Sequence, residues 1–287
     1  MKKSVSLLKS SVTLISASLV FSATSAFAQT SGNIQRDAMI VRVATGDSEK
    51  KLSSGEWVPI ATGSDLSNND VIKTGKNSNI LLELPENAGY IRVLPETEIK
   101  VSQIKVDKTF EGGQIAELSL IKGKVITKVR KFNRKSSKFQ INTRGATAAV
   151  RGTSFVTSFN NNSNETKVTV GDGRVSVKAQ NEEVLINEKQ YTKIALGGKP
   201  SQASETDSDF LFKLDKLEAR NNKLTVSGLA DPEIEVNINN TSLFANSDGS
   251  FTGETSVKEG VNNIAIKAIT IDGKTKTSNV KIIKFTE

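Results

Sequence analysis

Short runs in which apolar and polar residues alternate extend along most of this chain, and this period of two constrains its fold more than any other feature. Between Ile34 and Ile194 the runs include Met39-x-Val41-x-Val43, Ile80-x-Leu82-x-Leu84 and Val125-x-Thr127-x-Val129, separated by Gly, Asn and Asp. Such alternation buries one face of a strand, and the intervening residues are typical of turns. Almost nothing here has helical spacing. The sequence therefore predicts an all-β domain.

A second set of alternating runs begins after a segment without apolar periodicity. Residues 197–209 are rich in Gly, Ser and Pro, which predicts a flexible linker. Beyond it, short runs are separated by the turn pairs Asn239-Asn240, Asp248-Gly249 and Asp272-Gly273. About seven short strands at this spacing are typical of a small β-sandwich. We therefore predict a separate sandwich over residues 210–287.

The first 28 residues have the composition of a secretory signal peptide. Lysines near the start precede an apolar run from Val12 to Phe21, and Ala26-Phe27-Ala28 matches a small-x-small cleavage site. The run is too short to span a bilayer comfortably. We expect residues 1–28 to be removed and no transmembrane span to remain. The mature protein would then be exported to the periplasm, the cell surface or the medium.

The composition argues against an enzyme. The chain contains neither Cys nor His, so thiol catalysis is excluded and the commonest general base and metal ligand is missing. Carboxylates such as Asp65 and Asp70 could in principle act as an acid–base pair. They lie, however, in a turn-rich segment without a discernible cleft. We therefore expect no catalytic site, no metal and no cofactor.

The most distinctive motif joins two alternating strands between Phe139 and Phe155. The first strand, Phe139-x-Ile141-x-Thr143, reaches a break at Gly145, and Ala149-Val150-Arg151-Gly152-Thr153-x-Phe155 opens the second. This segment resembles the signature of the FecR domain. The resemblance extends over about Ile34 to Ile194 and includes Leu66-x-x-x-Asp70-Val71-Ile72-x-Thr74-Gly75, Leu94-Pro95-x-Thr97, Leu120-x-x-Gly123-x-Val125 and Val168-x-Val170-x-x-Gly173-x-Val175. Asn69 and Arg144 depart from it, since the family usually has Gly and Pro there.

This resemblance implies a β-rich FecR-like domain over residues 29–196, in which the motif residues have structural roles. Those residues are Asp70, Thr74, Gly75, Gly123, Thr143, Arg151, Gly152, Thr153, Phe155 and Gly173. A faint repeat relates Leu118–Val125 to Val168–Val175. A hairpin or two rungs of a β-solenoid would both give that repeat, and the resemblance favours solenoid-like stacking. The C-terminal turn pattern is similar to that of bacterial immunoglobulin-like modules of secreted proteins.

Two single residues have a structural and a functional interpretation. Arg151 could bind a ligand, but an Arg in so apolar a stretch more often pairs with a carboxylate and bonds carbonyls at a turn. Trp57, the only Trp, could stack on a sugar or a partner. A half-buried packing role is more common for a Trp beside a turn. We expect the structural role for both.

Positive charge is concentrated between Lys122 and Arg151, and no acidic residue occurs between Glu117 and Glu165. Because Val125, Thr127 and Val129 share one face of a strand, Lys124, Lys128 and Arg130 share the other. The candidate binding residues are Lys124, Lys128, Arg130, Lys131, Arg134, Lys135 and Lys138. Such a patch can bind an envelope protein or an anionic envelope polymer, or it is only a solvated surface. Nucleic acid is disfavoured by export and by the scarcity of nearby aromatic residues.

These features predict a non-catalytic exported FecR-domain protein that acts as an envelope binding, scaffold or sensing module. One alternative is an adhesin or a structural protein that binds the cell wall or an anionic glycan. The other is a periplasmic regulator of receptor signalling. The best-known proteins with this domain are membrane-spanning regulators that relay a signal from an outer-membrane receptor to a cytoplasmic sigma factor. Few residues precede the apolar run here, so we expect the part that binds a sigma factor to be absent.

Overall fold

The computed structural model describes residues 37–107, 109, 113–207, 209–239 and 241–284. Within these ranges the regular structure is almost entirely β, with one turn of 3-10 helix at Pro85–Asn87 and no α-helix. The predicted all-β class is confirmed. The predicted signal peptide over residues 1–28 lies outside the described residues, as does Asn240 of one predicted turn.

The first seventeen strands form a unit that we call the large sandwich. They are β1 Met39–Thr45, β2 Ser48–Lys51, β3 Trp57–Pro59, β4 Asp65–Leu66, β5 Val71–Thr74, β6 Asn79–Glu83, β7 Gly89–Val93, β8 Glu98–Val106, β9 Gln114–Val129, β10 Lys138–Asn142, β11 Thr147–Val150, β12 Thr153–Asn160, β13 Glu165–Asp172, β14 Arg174–Ala179, β15 Glu182–Asn187, β16 Gln190–Ala195 and β17 Ser204–Glu205.

The long strand β9 belongs to both sheets of the large sandwich. Its second half lies between β7 and β12 in the first sheet, whose order is β4–β1–β6–β7–β9–β12–β13–β16–β17. Its first half lies between β8 and β10 in the second sheet, whose order is β3–β2–β5–β8–β9–β10–β11–β14–β15. Every neighbouring pair is antiparallel except β9 with β10. The chain thus winds back and forth between two sheets, and β9 stands at the centre of both.

The alternating side chains of both sheets meet in one hydrophobic core. Ile80 and Leu82 of the first sheet and Ile99 and Val101 of the second are at most 1% exposed. Phe139 and Phe155 are fully buried there, with ring centroids 6.3 Å apart in an edge-to-face arrangement. Burial of each ring stabilises the fold by roughly 2 to 3 kcal/mol. The two strands of the Phe139–Phe155 motif therefore lie in different sheets and join them through the core.

The internal repeat marks two of the points at which the chain crosses between the sheets. Gly123, within β9, has φ of +92°, and Gly173, between β13 and β14, has φ of +82°. Non-glycine residues are strained in this region of backbone space. In each copy the hydroxyl of a buried Thr donates to the backbone carbonyl of the basic residue that follows the Gly. Thr97 Oγ1 lies 3.1 Å from the Lys124 carbonyl oxygen, and Thr153 Oγ1 lies 2.9 Å from the Arg174 carbonyl oxygen. The repeat thus encodes the same crossing twice.

The last seven strands form a second unit that we call the small sandwich. They are β18 Phe212–Arg220, β19 Lys223–Ala230, β20 Glu235–Ile238, β21 Thr241–Phe244, β22 Ser250–Ser256, β23 Gly260–Ile269 and β24 Thr275–Lys284. One sheet has the order β18–β19–β22 and the other β21–β20–β23–β24. The two sheets enclose a separate core that includes Val226, Val236, Phe251 and Ile266. The predicted number of strands and their division into two sheets agree with this arrangement.

Residues 197–207 and 209 run between the two sandwiches and form hydrogen bonds to both. The Ser201 amide donates to the Lys193 carbonyl at 2.9 Å, and the Thr206 amide donates to the Lys189 carbonyl at 2.8 Å. β17 pairs with β16, and Thr206 Oγ1 donates to Asp272 Oδ2 of the small sandwich at 2.8 Å. The described residues of the segment are therefore bonded to both units, and the flexible linker that its composition predicts stays a prediction. Its hydroxyl and carbonyl groups find partners on both sides.

Candidate functional site

The motif residues around Thr74 and Thr97 hold the strands of the large sandwich together. Thr74 Oγ1 donates to the Leu94 carbonyl at 2.6 Å and accepts the Thr97 amide at 3.0 Å. Both Thr side chains are buried. Gly75 donates its amide to the Asp47 carbonyl at 2.9 Å. Each of these bonds satisfies a polar group that would otherwise be buried without a partner, so these residues have structural roles.

Asp70 also has its partners within the fold. Its Oδ2 accepts the Ser67 amide at 2.7 Å and the Lys50 ammonium at 2.6 Å. The residue before it, Asn69, has φ of +72°, a conformation that Gly adopts most readily and Asn tolerates. This explains how Asn can stand where the resembled family has Gly. Lys50 also approaches the Asp65 backbone carbonyl at 3.4 Å, so one ammonium joins the Asp70 carboxylate to the backbone of Asp65.

Thr143 closes the turn between β10 and β11. Its Oγ1 lies 2.8 Å from Thr166 Oγ1 and accepts the Ala146 amide at 3.2 Å. Arg144, the second departure from the family pattern, is exposed in this turn, with its guanidinium carbon 5.9 Å from the Phe159 ring centroid. An exposed turn position accepts Arg as readily as Pro.

Arg151 differs in part from the prediction. Its Nη2 donates to the Lys135 carbonyl at 3.0 Å, as expected for a residue that bonds a turn. The side chain is exposed, however, and no carboxylate of the described residues lies within ion-pair distance of it. Gly152 has φ of +146°, and a Cβ there would lie 2.5 Å from Lys131 Cα. The loop of residues 130–137 therefore passes close to Gly152, and the exposed Arg151 side chain reaches this loop at Lys135.

Trp57 is half-buried on β3, as expected for a packing role. Lys73 Nζ lies 4.3 Å and Lys51 Nζ 5.7 Å from the ring centroid. Each ammonium in this position contributes roughly 0.5 to 1 kcal/mol at an exposed site. Two lysines of the protein itself therefore lie over the Trp57 ring.

The predicted basic strand face is divided between two environments. Val125, Thr127 and Val129 are buried, and the side chains between them point away from the core. Lys128 and Arg130 are exposed, whereas Lys124 forms an ion pair with Glu233 of the small sandwich. Lys124 is thus used inside the molecule, and Lys128 and Arg130 remain on the surface.

Other cations join Arg130 at one end of the large sandwich. We call this surface the basic rim; it comprises Arg130, Lys131, Arg134, Lys135, Lys138, Arg151 and Arg174. Its members come from the loop after β9, the start of β10, the turn after β11 and the start of β14. Lys138 pairs with Glu117 at 3.1 Å. For Arg130, Lys131, Lys135 and Arg174 no carboxylate of the described part of the chain lies within 4 Å.

The rim surrounds three adjoining hollows. The first reaches from Glu86 to Arg134, the second from Lys135 to Leu185, and the third from Lys131 to Glu188. The second has a volume of about 500 Å3 and is lined by four cations and no acidic residue. The first contains one carboxylate, Glu86, and the third two, Asp172 and Glu188. The positive charge is therefore greatest at the second hollow.

Arg174 is the rim residue that sequence reasoning missed. It lies far along the chain from the basic stretch and enters the rim because β14 pairs with β11. The repeat contained a usable signal, since Arg174 occupies the position of Lys124. Knowledge of the strand order was needed to see that the two copies lie in different surroundings.

The small sandwich packs on the outer face of the first sheet. The guanidinium carbon of Arg92 lies 4.6 Å from the Phe244 ring centroid, and burial lowers the pKa of this Arg. A Cβ at Gly171 would lie 2.1 Å from the Ile271 carbonyl oxygen. Burial alone would raise the pKa of Glu233, but the charge and the hydrogen bond of Lys124 bring it below its usual range. An aromatic contact, a close backbone approach and an ion pair therefore fix this interface.

Residues 70–176 match the family model described as "FecR protein". Over these residues the chain is similar to the FecR family. The match begins at the Asp70 turn and ends in β14, so it includes β9, both crossings and every residue of the basic rim. The predicted resemblance is thereby confirmed for these residues. The limits of the four predicted segments, residues 1–28, 29–196, 197–209 and 210–287, stay predictions.

Two crystal structures resemble part of the chain. Both are of a protein described as a candidate anti-sigma factor from Parabacteroides distasonis, with 17% sequence identity and TM-scores of 0.40 and 0.39. In each, the likeness covers 48% of this chain and 60% of the other, so it spans less than two thirds of those structures. No curated protein matches this chain. Within the described residues, none of the helical structure is long and apolar enough to cross a membrane.

Proposed function

We propose that this chain is a non-catalytic, exported FecR-domain protein that acts as a binding and sensing module of the cell envelope for an anionic partner. The observation that carries the proposal is the basic rim. Four of its cations, Arg130, Lys131, Lys135 and Arg174, have no carboxylate partner among the described residues. Unpaired surface cations grouped at one place produce a positive potential that attracts and orients anions.

The way in which the rim is built supports binding rather than catalysis. Its residues stand at the ends of strands and in the loop between β9 and β10, so the fold groups these charges on one surface before a ligand arrives. Several carboxylates of the large sandwich are paired with lysines: Asp70 with Lys50, Glu117 with Lys138 and Glu188 with Lys189. A chain without His or Cys would have to use such carboxylates for acid–base chemistry.

Two further features support the location and the sensing role. Residues 1–28 have the composition of a signal peptide, which would bring the protein into the envelope or beyond it. The FecR domain is best known from regulators that respond to outer-membrane receptors. A protein partner with an acidic surface is therefore one class of ligand that the rim would fit.

A structural role on an anionic polymer of the envelope is the second candidate. The hollows around the rim adjoin one another and share Lys131, Ser137, Arg151 and Arg174 along their borders. A continuous positive surface of this kind fits an extended chain of negative charges better than a single small anion. An adhesin or a protein that binds an anionic cell-wall glycan would use the rim in this way.

Binding of the purified chain to heparin, a soluble anionic polymer, tests the proposal. Exposed charge pairs each contribute about 0.2 to 1 kcal/mol, so changing Arg130, Lys131, Lys135 and Arg174 to Gln should weaken binding by about 0.8 to 4 kcal/mol, at least about fourfold, at low salt. The affinity of the parent chain should fall steeply as NaCl increases, because salt screens exposed charges.

The matched control changes four lysines elsewhere, Lys193, Lys213, Lys216 and Lys223, to Gln. Each of these forms a surface ion pair with a nearby carboxylate, and the change in net charge is identical. The control should keep most of the affinity. Equal losses of heparin affinity in both variants would show that only the net charge of the chain matters, which would contradict the proposal.

A further inference from the structure

We infer that the first hollow of the basic rim, between Glu86 and Arg134, binds one uronic acid residue of an anionic glycan. This inference rests on the proposed function and names the ligand class of one part of the same surface. The hollow has a volume of about 240 Å3, which lies below the roughly 300 to 1,000 Å3 of pockets for drug-sized ligands. It therefore fits a single sugar ring, and the rest of the polymer would continue along the rim.

The first hollow differs from the other two in its neutral lining groups. Three cations, three amide side chains and one aromatic ring line it: Arg130, Lys131, Arg134, Asn87, Gln114, Asn133 and Phe132. Among the described residues, the second hollow has no amide side chain and no aromatic ring, and the third has only the amide of Asn187. A string of carboxylates needs only cations, which all three hollows provide. The amides and the ring therefore indicate a ligand with further groups.

The amide side chains of this hollow are available to a ligand. Asn87 and Asn133 are exposed and Gln114 is half-buried, and none of the three side chains forms a hydrogen bond with another described residue. An amide offers both donors and an acceptor, so it can bond a sugar hydroxyl in either sense. Glu86, the one carboxylate of the hollow, is a further acceptor for hydroxyl groups. Three cations against one carboxylate favour a sugar that is itself negatively charged.

Phe132 supplies the apolar surface of the hollow. It is half-buried, and its side chain also packs against the core of the large sandwich. Its amide donates to the Arg151 carbonyl at 2.8 Å, which holds the loop beside the turn that precedes β12. An aromatic ring has an apolar face, against which the carbon-bound hydrogens of a sugar ring can pack. The ring, the amides and the cations together therefore match a sugar that carries a carboxylate.

The backbone holds two walls of the hollow together before a ligand arrives. Asn87 lies in a tight turn in which Glu86 and Asn87 have φ of +54° and +53°, and the Ala88 amide donates to the Pro85 carbonyl at 3.1 Å. The Arg130 amide donates to the Ala88 carbonyl at 2.8 Å, which joins the loop after β9 to this turn. Such preorganisation lowers the entropy cost of binding.

The test measures binding of the purified chain to polygalacturonate, a polymer of a uronic acid, and to polyglutamate with the same number of carboxylates. Heparin is measured in parallel. Polygalacturonate should bind at least about fivefold more tightly than polyglutamate, because only the sugar uses the amides. The double variant Asn87→Gly, Asn133→Ala removes two amides and should weaken polygalacturonate binding at least about fivefold. It should leave polyglutamate binding unchanged.

The matched control is the double variant Asn181→Gly, Asn162→Ala. Asn181 also lies in a turn with positive φ, +60°, and both residues are exposed and outside the lining of the three hollows. Gly accepts positive φ without strain, so neither Gly replacement should disturb its turn. The control should keep its affinity for both polymers. Trp57 fluorescence should be unchanged in both variants, since neither replaces a buried residue.

The outcomes separate this inference from the proposed function. Equal affinities for polygalacturonate and polyglutamate would overturn the sugar assignment in favour of an acidic protein partner. A preference for polygalacturonate that survives in the Asn87→Gly, Asn133→Ala variant, or that is lost equally in the control, would overturn the assignment to this hollow. In these cases heparin binding that depends on the rim cations leaves the proposed function standing. Failure to bind heparin, polygalacturonate and polyglutamate alike would overturn both.

Discussion

Replacement of Gly123 by Ala tests the central crossing of the large sandwich. At φ of +92° an alanine is strained by about 1 to 2 kcal/mol. Its Cβ would also lie 2.3 Å from Thr97 Oγ1 and 2.5 Å from Thr97 Cα. Because the Cα belongs to the backbone and Thr97 is fully buried, relief requires a backbone shift, which typically costs about 1 to 3 kcal/mol. The free energy of unfolding should therefore fall by about 2 to 5 kcal/mol.

Urea unfolding followed by tryptophan fluorescence measures this loss in the right place. Trp57 is the only Trp and lies in the large sandwich, so its signal reports on that unit. The matched control is Gly63→Ala: Gly63 has φ of +90°, and nothing lies within 4 Å of its added Cβ. The control should show the strain alone, about 1 to 2 kcal/mol. Equal losses for Gly123→Ala and Gly63→Ala would refute the close approach of β9 to Thr97.

Three further predictions concern the core and the interface. Phe155→Ala should lower the free energy of unfolding by about 3 to 5 kcal/mol, since the ring is fully buried against Phe139; a loss below about 1 kcal/mol in urea titration would contradict its central position. Thr157→Val should raise the free energy of unfolding by about 1 kcal/mol, because this buried hydroxyl has no partner among the described residues; a loss on the same titration would show that the hydroxyl is bonded. The pKa of Glu233 is lower in the folded chain than its usual value. The pairing with Lys124 therefore stabilises the docked small sandwich at pH values above the usual Glu pKa. This stabilisation is lost as the pH falls through the folded-state pKa. The melting temperature should therefore drop less between neutral and acid pH in Glu233→Gln than in the parent chain, and equal drops would exclude the pair as a contributor.

The sequence predicts the class of fold well because alternation and turn residues act locally. Val125, Thr127 and Val129 are buried, and Gly249 and Gly273 have positive φ in the predicted turns. The sequence does not predict which strands become neighbours. β9 pairs with four strands in two sheets, and such long-range pairing depends on the whole core rather than on any local pattern. The repeat at Gly123 and Gly173 predicted that the two segments have equivalent backbone geometry, but it did not predict that this geometry is a crossing between two sheets.

The candidate site was predictable to the same degree. The basic stretch was visible as a run of charge, and most of it does lie on one surface. Lys124 does not belong to that surface, because it forms an ion pair with Glu233 of the small sandwich, a residue far away in the sequence. Arg174 joined the surface for the same kind of reason, through the pairing of β11 with β14. Composition therefore located the charge, and tertiary structure determined which charges remain available.

The position at which an anion binds is tested most directly by hydrogen–deuterium exchange of the full chain with and without heparin. The structure predicts slower exchange in the backbone of residues 130–138, 149–152 and 173–176, which carry the basic rim, and unchanged exchange in β18 to β24. Protection confined to the small sandwich, or to the lysines of β2 and β5 around Trp57, would contradict the assignment of binding to the rim.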